Sequence, residues 1–272
     1  MGSQALLGVD VGFSARRKTT GLAWFSGSGV GVTVTGSSWS ERKGDLPAGV
    51  EFRLAALDAP IVPTPDASNR RGCEYIFYGG AFARRCRPGL SHHGRGLRLR
   101  QAGAQAAREF ANILSVSPLP YGPHVLAGLP IIEAFPNTFM GVLLPESSFL
   151  SWSKTIGVPK SDWLYEQIVG LGIMRKLLGR LTLNDRSVAD AFEQATNHDE
   201  RAALICLLTA MFAAKGDVVI VGDDLGGWFW LPPTELWASW AQDEFELAVS
   251  IHQKTNFPAT AAWMETARQI GQ

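Results

Sequence analysis

GVDVGFSARRKTTGLAWF, residues 8–25, sets an aspartate near the end of an apolar run, follows it with a basic loop, and then returns to apolar residues. The run ALLGVDV (5–11) around Asp10 reads as a buried strand. TGLAWF (20–25) and VGVTVTG (30–36) follow, separated by SGSG, whose glycines and serines mark a turn. The alternating valines of 30–34 give the third run two distinct faces. Together the three segments form an antiparallel meander. A carboxylate at position 10 then has two readings. An unpaired charge in an apolar strand is costly, so Asp10 either meets a partner or cation, or it caps the loop at 12–19.

Further along, FRLAALDAP (52–60) reads as a fourth strand that ends in Asp58 and stops at Pro60. Residues 66–115 read as mostly helical, interrupted by a Gly/Pro/His/Arg stretch. LPIIEAFP (129–136) is a fifth strand carrying Glu133, a residue type depleted in strands. Helical patterns resume over 162–181 and 185–196. NHDERAALICLLTAMFAAKG (197–216) is the clearest helix: Asn197 suits its cap, Asp199 and Glu200 its first turn and Gly216 its end. DVVIVGDDLGGWFWLP (217–232) reads as a hairpin, and two helices close the chain. This order predicts an α/β protein in which an antiparallel three-strand meander continues into parallel strands, flanked by helices. Residues 1–232 form the predicted domain, with 233–272 a C-terminal helical extension packed on it.

Of the 272 residues, 46% are hydrophobic and 18% charged, which fits a well-packed chain and excludes an intrinsically disordered one. The net charge is zero, so contact with nucleic acid has to come from a local patch. The three cysteines, Cys73, Cys86 and Cys206, lack metal-type spacing and read as reduced thiols of a cytoplasmic protein. The N-terminus has no secretory pattern, and the longest apolar run (202–214) is too short to span a bilayer. No membrane partner is expected. Five of the nine tryptophans follow residue 227, marking an aromatic C-terminal region that packs or meets a partner.

Asp10, Asp58 and Glu133 all sit on or at the ends of apolar strands. If the first, fourth and fifth strands are neighbours, their ends bring these carboxylates together, and a hard divalent cation resolves the repulsion. Asp199 and Glu200 open a buried helix, where acids also simply suit the dipole. Asp58 in DAP equally suits turn chemistry.

GVDVGF, GLAWF, ALDAPI, RRGCEYIFYGG, IIEAFP, KSDWLYE and HDERAALICLLTA, in this order over about residues 5–231, resemble the predicted RNase H-like nuclease family known as domain-of-unknown-function family 429. The resemblance implies an RNase H-like fold and phosphodiester hydrolysis dependent on Mg²⁺ or Mn²⁺. By position, Asp10 matches the first-strand aspartate, Asp58 the aspartate of the D-x-P strand end, and Glu133 the glutamate before the aromatic–proline pair. The expected catalytic set is thus Asp10, Asp58 and Glu133, completed by Asp199 or Glu200, with metal on Asp10, Asp58, Glu133 and Asp199. The family commonly has an acid directly before AL of the last motif, where this chain has Ala202. That departure favours a catalytically inactive module that binds nucleic acid or protein. A third reading is an actin/sugar-kinase-like nucleotide-binding protein, suggested by GVDVGF as a first phosphate loop.

RRCRPGLSHHGRGLRLR (84–100) holds six arginines and no acid. Arg84, Arg85, Arg95, Arg98 and Arg100 are candidates to grip nucleic-acid backbone phosphates, with little base specificity. Arg16, Arg17 and Lys18 add a basic loop beside Asp10. His92 and His93 suit proton transfer or plain exposure. Arg70, Arg71 and Glu74 fall on a helix, where ion pairing is the expected use. Cys73 has no His/Asn pattern to make it a nucleophile. Asp223 and Asp224 belong to hairpin-turn chemistry, with a metal role as the alternative.

Overall fold

β1 (Ala5–Asp10), β2 (Thr20–Ser26) and β3 (Gly29–Thr35) form the expected antiparallel meander. The structure, a computed structural model, describes residues 5–27, 29–61, 70–114, 130–152, 157–223, 226–254 and 265–266. On the other edge of β1, β4 (Phe52–Asp58) runs parallel to it, followed by parallel β5 (Ile131–Ala134) and, with β6 (Val219–Asp223) later in sequence, parallel β7 (Gly227–Leu231). β6 turns back antiparallel to β7, and the short β8 (Glu265–Thr266) pairs with β6. The full order is β3-β2-β1-β4-β5-β7-β6-β8. This is the RNase H-like mixed sheet anticipated above. Its four parallel strands end on one edge, where α/β sheets place their ligands.

Side-chain alternation assigns the two faces. Leu7 and Val9 of β1, Leu22 of β2, Ala55 and Leu57 of β4 and Ile131 of β5 pack with Ala106, Ala107 and Phe110 of the long helix α4 (Gly94–Phe110). α2 (Gly72–Tyr78) lies on the same face further along the sheet, with Phe77 6.2 Å from Phe229 of β7. A strap, residues 86–93, joins α3 (Gly80–Arg85) to α4.

The opposite face carries α9 (His198–Lys215), apolar on every side because it is covered by the sheet and by neighbouring helices. Glycines set its distance. A Cβ on Gly8 would stand 2.1 Å from the Leu207 nitrogen, and one on Gly21 2.0 Å from the Asp199 carbonyl oxygen. Asn197 Oδ1 caps α9 by accepting the amides of Asp199 and Glu200, and Gly216 ends it at φ 71°.

Some elements were not anticipated. α1 (Trp39–Gly44) starts with a capping box formed by Ser38 and Glu41, and α5 (Pro136–Leu143) starts on a proline. The helical stretch 162–181 divides into α6 (Lys160–Gly170) and α7 (Ile173–Arg180), broken where Gly172 takes φ 68°. α8 (Arg186–Glu193) follows as expected. α10 (Ser239–Lys254) is the first of the two closing helices, and the segment expected to hold the second lies mostly outside the described residues. Trp237, Trp240 and Phe245 pack against Phe77 and Phe82, so the aromatic C-terminal region shares the main core. Among the described residues no helix is long and apolar enough to cross a membrane.

Candidate functional site

Asp10 and Asp58 are direct partners across the parallel β1–β4 pair, at the carboxyl edge of the sheet. Both alternate onto the α9 face, because Gly8 and Gly21, which α9 touches, share that side. Close packing of α9 on Gly21 brings Asp199 to Asp10, and their carboxyl groups share a hydrogen bond. Two carboxyls can do so only if one holds a proton. Burial, reinforced by repulsion from Asp58 and then Asp199, raises the Asp10 carboxyl well above the usual aspartate range. Burial, then Glu133, pushes Asp58 up to about 7, with His198 opposing. Burial also raises Asp199, against the pull of His198 and Arg17. Three carboxyls thus crowd together with too little positive charge among them. Cys206, beneath them, has its thiol raised by burial and by these same aspartates.

Glu133 does not join this group. It pairs in register with Leu57, not Asp58, and so emerges on the α4 face. There Arg71 takes both of its oxygens, each at 2.7 Å, and also donates to Glu74 at 2.9 Å and the Gly226 carbonyl at 3.1 Å. All three ionic residues are buried. The expected ion pairing of Arg71 and Glu74 is present, and it extends to the residue assigned as a metal ligand. Among the described residues no group of three or more His, Cys, Asp or Glu side chains is arranged to hold a metal. Asp10 and Asp58 are the two strand-end carboxylates that the sheet register sets side by side. Mg²⁺ is commonly held by one or two carboxylates, with water and substrate phosphate completing its shell.

A cleft of about 560 Å³ opens between α2 and α4 and reaches the sheet edge at Asp58 and Glu133. Arg71, Glu74 and Tyr78 line one wall. The strap and the start of α4 line the other, with Arg87, Ser91, His93 and Arg95. Phe13, Phe135 and Asn137 stand at the sheet end.

The other predicted residues disperse. Arg16, Arg17 and Lys18 are exposed on a loop in which Ser14 Oγ accepts the amides of Arg16 and Arg17 at 3.3 and 3.2 Å. Of these three, Arg17 acts on Asp199, while Lys18 acts on Glu41. Arg85 pairs with Glu146 and lies over the Trp240 ring, and the Arg84 carbonyl accepts from Lys160. Both sit beyond the cleft lining. Arg98 is exposed, Arg95 lines the cleft, and Arg100 is buried below it. His92 and His93 stack edge to face, with only His93 lining the cleft. Glu200 supplies its backbone amide to the Asn197 cap at 3.3 Å. Cys73, Cys86 and Cys206 are buried free thiols. Asp223 Oδ1 accepts the Gly226 amide, as turn chemistry requires, and Asp224 lies outside the described residues.

Three contributors escaped the sequence reading. Arg87 sits inside the basic stretch yet was not singled out. His198 binds Asp162 at 2.9 Å and faces the aspartates. Buried Arg42 donates to the Gly12 carbonyl at 2.8 Å and to Glu109 at 3.0 Å, anchoring the chain just after Asp10. Position within the S-x-x-E helix start was the available signal for Arg42. No protein-family model matches the chain, and no curated protein or solved structure matches it significantly.

Proposed function

We propose that this protein is a divalent-metal-dependent hydrolase of nucleic-acid phosphodiester bonds, using Mg²⁺ or Mn²⁺. The carrying observation is the crowding of Asp10, Asp58 and Asp199 at the carboxyl edge of the sheet, beside an arginine-walled cleft. Asp10 and Asp58 would hold the cation, which supplies charge neutralisation for attack on phosphorus. Asp10, hydrogen-bonded to Asp199, holds the proton that cation binding must displace. Arg17, Arg87 and Arg95 meet backbone phosphates, and Tyr78, Phe13 and Phe135 offer faces for bases. Arg71 neutralises Glu133 and fixes the wall behind Asp58. The resemblance of the strand-end motifs to RNase H-like nucleases supports the same reading, and three buried free thiols support a cytoplasmic setting.

A second reading, a binding module without catalysis, draws on two observations: Ala202 occupies the usual acidic position, and no three-ligand group stands among the described residues. Cleavage of labelled single- and double-stranded DNA and RNA, with Mg²⁺, Mn²⁺ or chelator, separates the two. Metal-dependent cleavage lost in Asp10→Asn and Asp58→Asn supports the hydrolase. Binding without cleavage at any metal concentration supports the module.

A further inference from the structure

Arg100 is 6% exposed, yet its Nε and both terminal nitrogens find no hydrogen-bond partner among the described residues. Leaving a guanidinium buried and unpaired is among the costliest arrangements a fold can carry. Its electrostatic neighbours are Arg71, Glu74, Glu133 and Cys73, and the first three of these line the cleft between α2 and α4, so Arg100 lies directly beneath that lining. The two glutamates do not satisfy it: Arg71 occupies both oxygens of Glu133 and one of Glu74. Ser91, 3% exposed and part of the cleft lining, likewise has a hydroxyl without a partner, and Glu74 Oε2 has none. Arg87 and Arg95 stand at the walls above. Unmet donors collected under a mouth of arginines call for an anion rich in acceptor oxygens. Unmet Glu74 Oε2 calls for a hydroxyl on the same ligand.

We infer that Ser91 at the cleft lining, with the unpaired Arg100 buried behind it, forms a pocket for a phosphate monoester, the terminal phosphate of a nucleic-acid strand. Depth selects this class. A phosphodiester within a strand is flanked by two sugars and lies along a surface, whereas a terminal phosphate protrudes and reaches buried donors. Cleft volume, about 560 Å³, suits one nucleotide. The strand-end assignment rests on the hydrolase reading; the phosphate pocket does not.

Calorimetry with inorganic phosphate in metal-free buffer, against chloride at equal ionic strength, tests the pocket. Wild type binds phosphate, and Arg100→Met loses affinity by roughly tenfold or more. Ser91→Ala loses less, and Arg186→Gln, at an exposed position of α8, loses none. Without phosphate, Arg100→Met melts at or above wild type, because an unpaired buried charge has gone. Phosphate binding no better than chloride, or undiminished in both Arg100→Met and Ser91→Ala, overturns the pocket. Destabilised Arg100→Met with no phosphate effect in wild type also overturns it, making Arg100 structural. The second arm compares short strands with and without a 5′- or 3′-phosphate, and adenosine monophosphate. Tighter binding of a phosphorylated strand, dependent on Arg100, supports end recognition. Arg100-dependent binding of the mononucleotide alone overturns it and assigns a free nucleotide. Phosphate binding that persists while no strand is cleaved with Mg²⁺ or Mn²⁺ leaves the pocket standing and removes the hydrolase.

Discussion

Asp58→Asn should make the metal-free protein more stable, and only above mildly acidic pH. The carboxyl of Asp58 stands at about 7 in the fold against an ordinary value of 3.8, driven by burial first and Glu133 second. A raised acid binds its proton more tightly folded than unfolded. Below about pH 4 both states are protonated and the group is neutral in the balance. As pH rises from about 4 to 7 the unfolded chain sheds its proton first, and folding stability falls. Above about 7 the full cost applies. A shift of this size, at ~1.36 kcal/mol per pH unit, is worth ~4 kcal/mol, and partial exposure of Asp58 reduces it to about 2–4 kcal/mol. With ~2.1 cal/mol/K per residue of unfolding entropy, the gain in Tm is roughly 4–7 °C. Thermal melts of both proteins from pH 4 to pH 8 read it directly. The difference should be near zero at the acid end and full at the basic end. At pH 8, cation at ten times its Kd should recover ~1.4 kcal/mol in wild type and little in the variant. A Tm difference independent of pH, or a variant less stable at pH 8, would refute the claim that Asp58 is held in a site short of positive charge.

Arg71→Met leaves Glu133 and Glu74 buried without their guanidinium and should cost roughly 3–5 kcal/mol in urea denaturation, while Glu133→Gln with Arg71 intact leaves a buried cation short of its anion and is also destabilising. Gly21→Ala forces a Cβ into the Asp199 carbonyl and should cost ~1–3 kcal/mol, with cation affinity falling alongside as Asp199 is displaced. An unchanged Tm and affinity would show that α9 gives way freely. Asn197→Ala removes the α9 cap and should cost about 1 kcal/mol, measured by thermal or urea melts. Asp10→Asn should retain the fold and lose cation binding by calorimetry, since the position closes the β1 side of the donor pair.

Much of the architecture was legible because local physics is written in periodicity. Alternation in VGVTVTG, the caps at Asn197 and Gly216, and Pro60 after Asp58 each act over a few residues. α1 and α5 carry local signals of the same kind, in the Ser38–Glu41 capping box and in Pro136 at the helix start. The site divides differently. Asp10 and Asp58 were readable as strand-end acids, since their placement needs only two parallel neighbours. Glu133 was not, because its role depends on register: opposite Leu57 it faces α4 and Arg71, and one residue along it would have faced α9 and the aspartates. Period-two side-chain alternation makes a one-residue offset a change of face.

Arg100 shows the same divide. Sequence placed it among six basic residues of one stretch, equivalent by composition. Folding sends Arg84 and Arg85 toward Glu146, Trp240 and Lys160, leaves Arg98 in solvent, puts Arg87 and Arg95 on the cleft and buries Arg100 beneath it. The sequence by itself determined which segments are strands and helices, where they stop, and which strands end in acid. Only the tertiary structure decided which acids meet one another and which arginine is left unpaired, because burial and partnership belong to contacts between segments far apart in the chain.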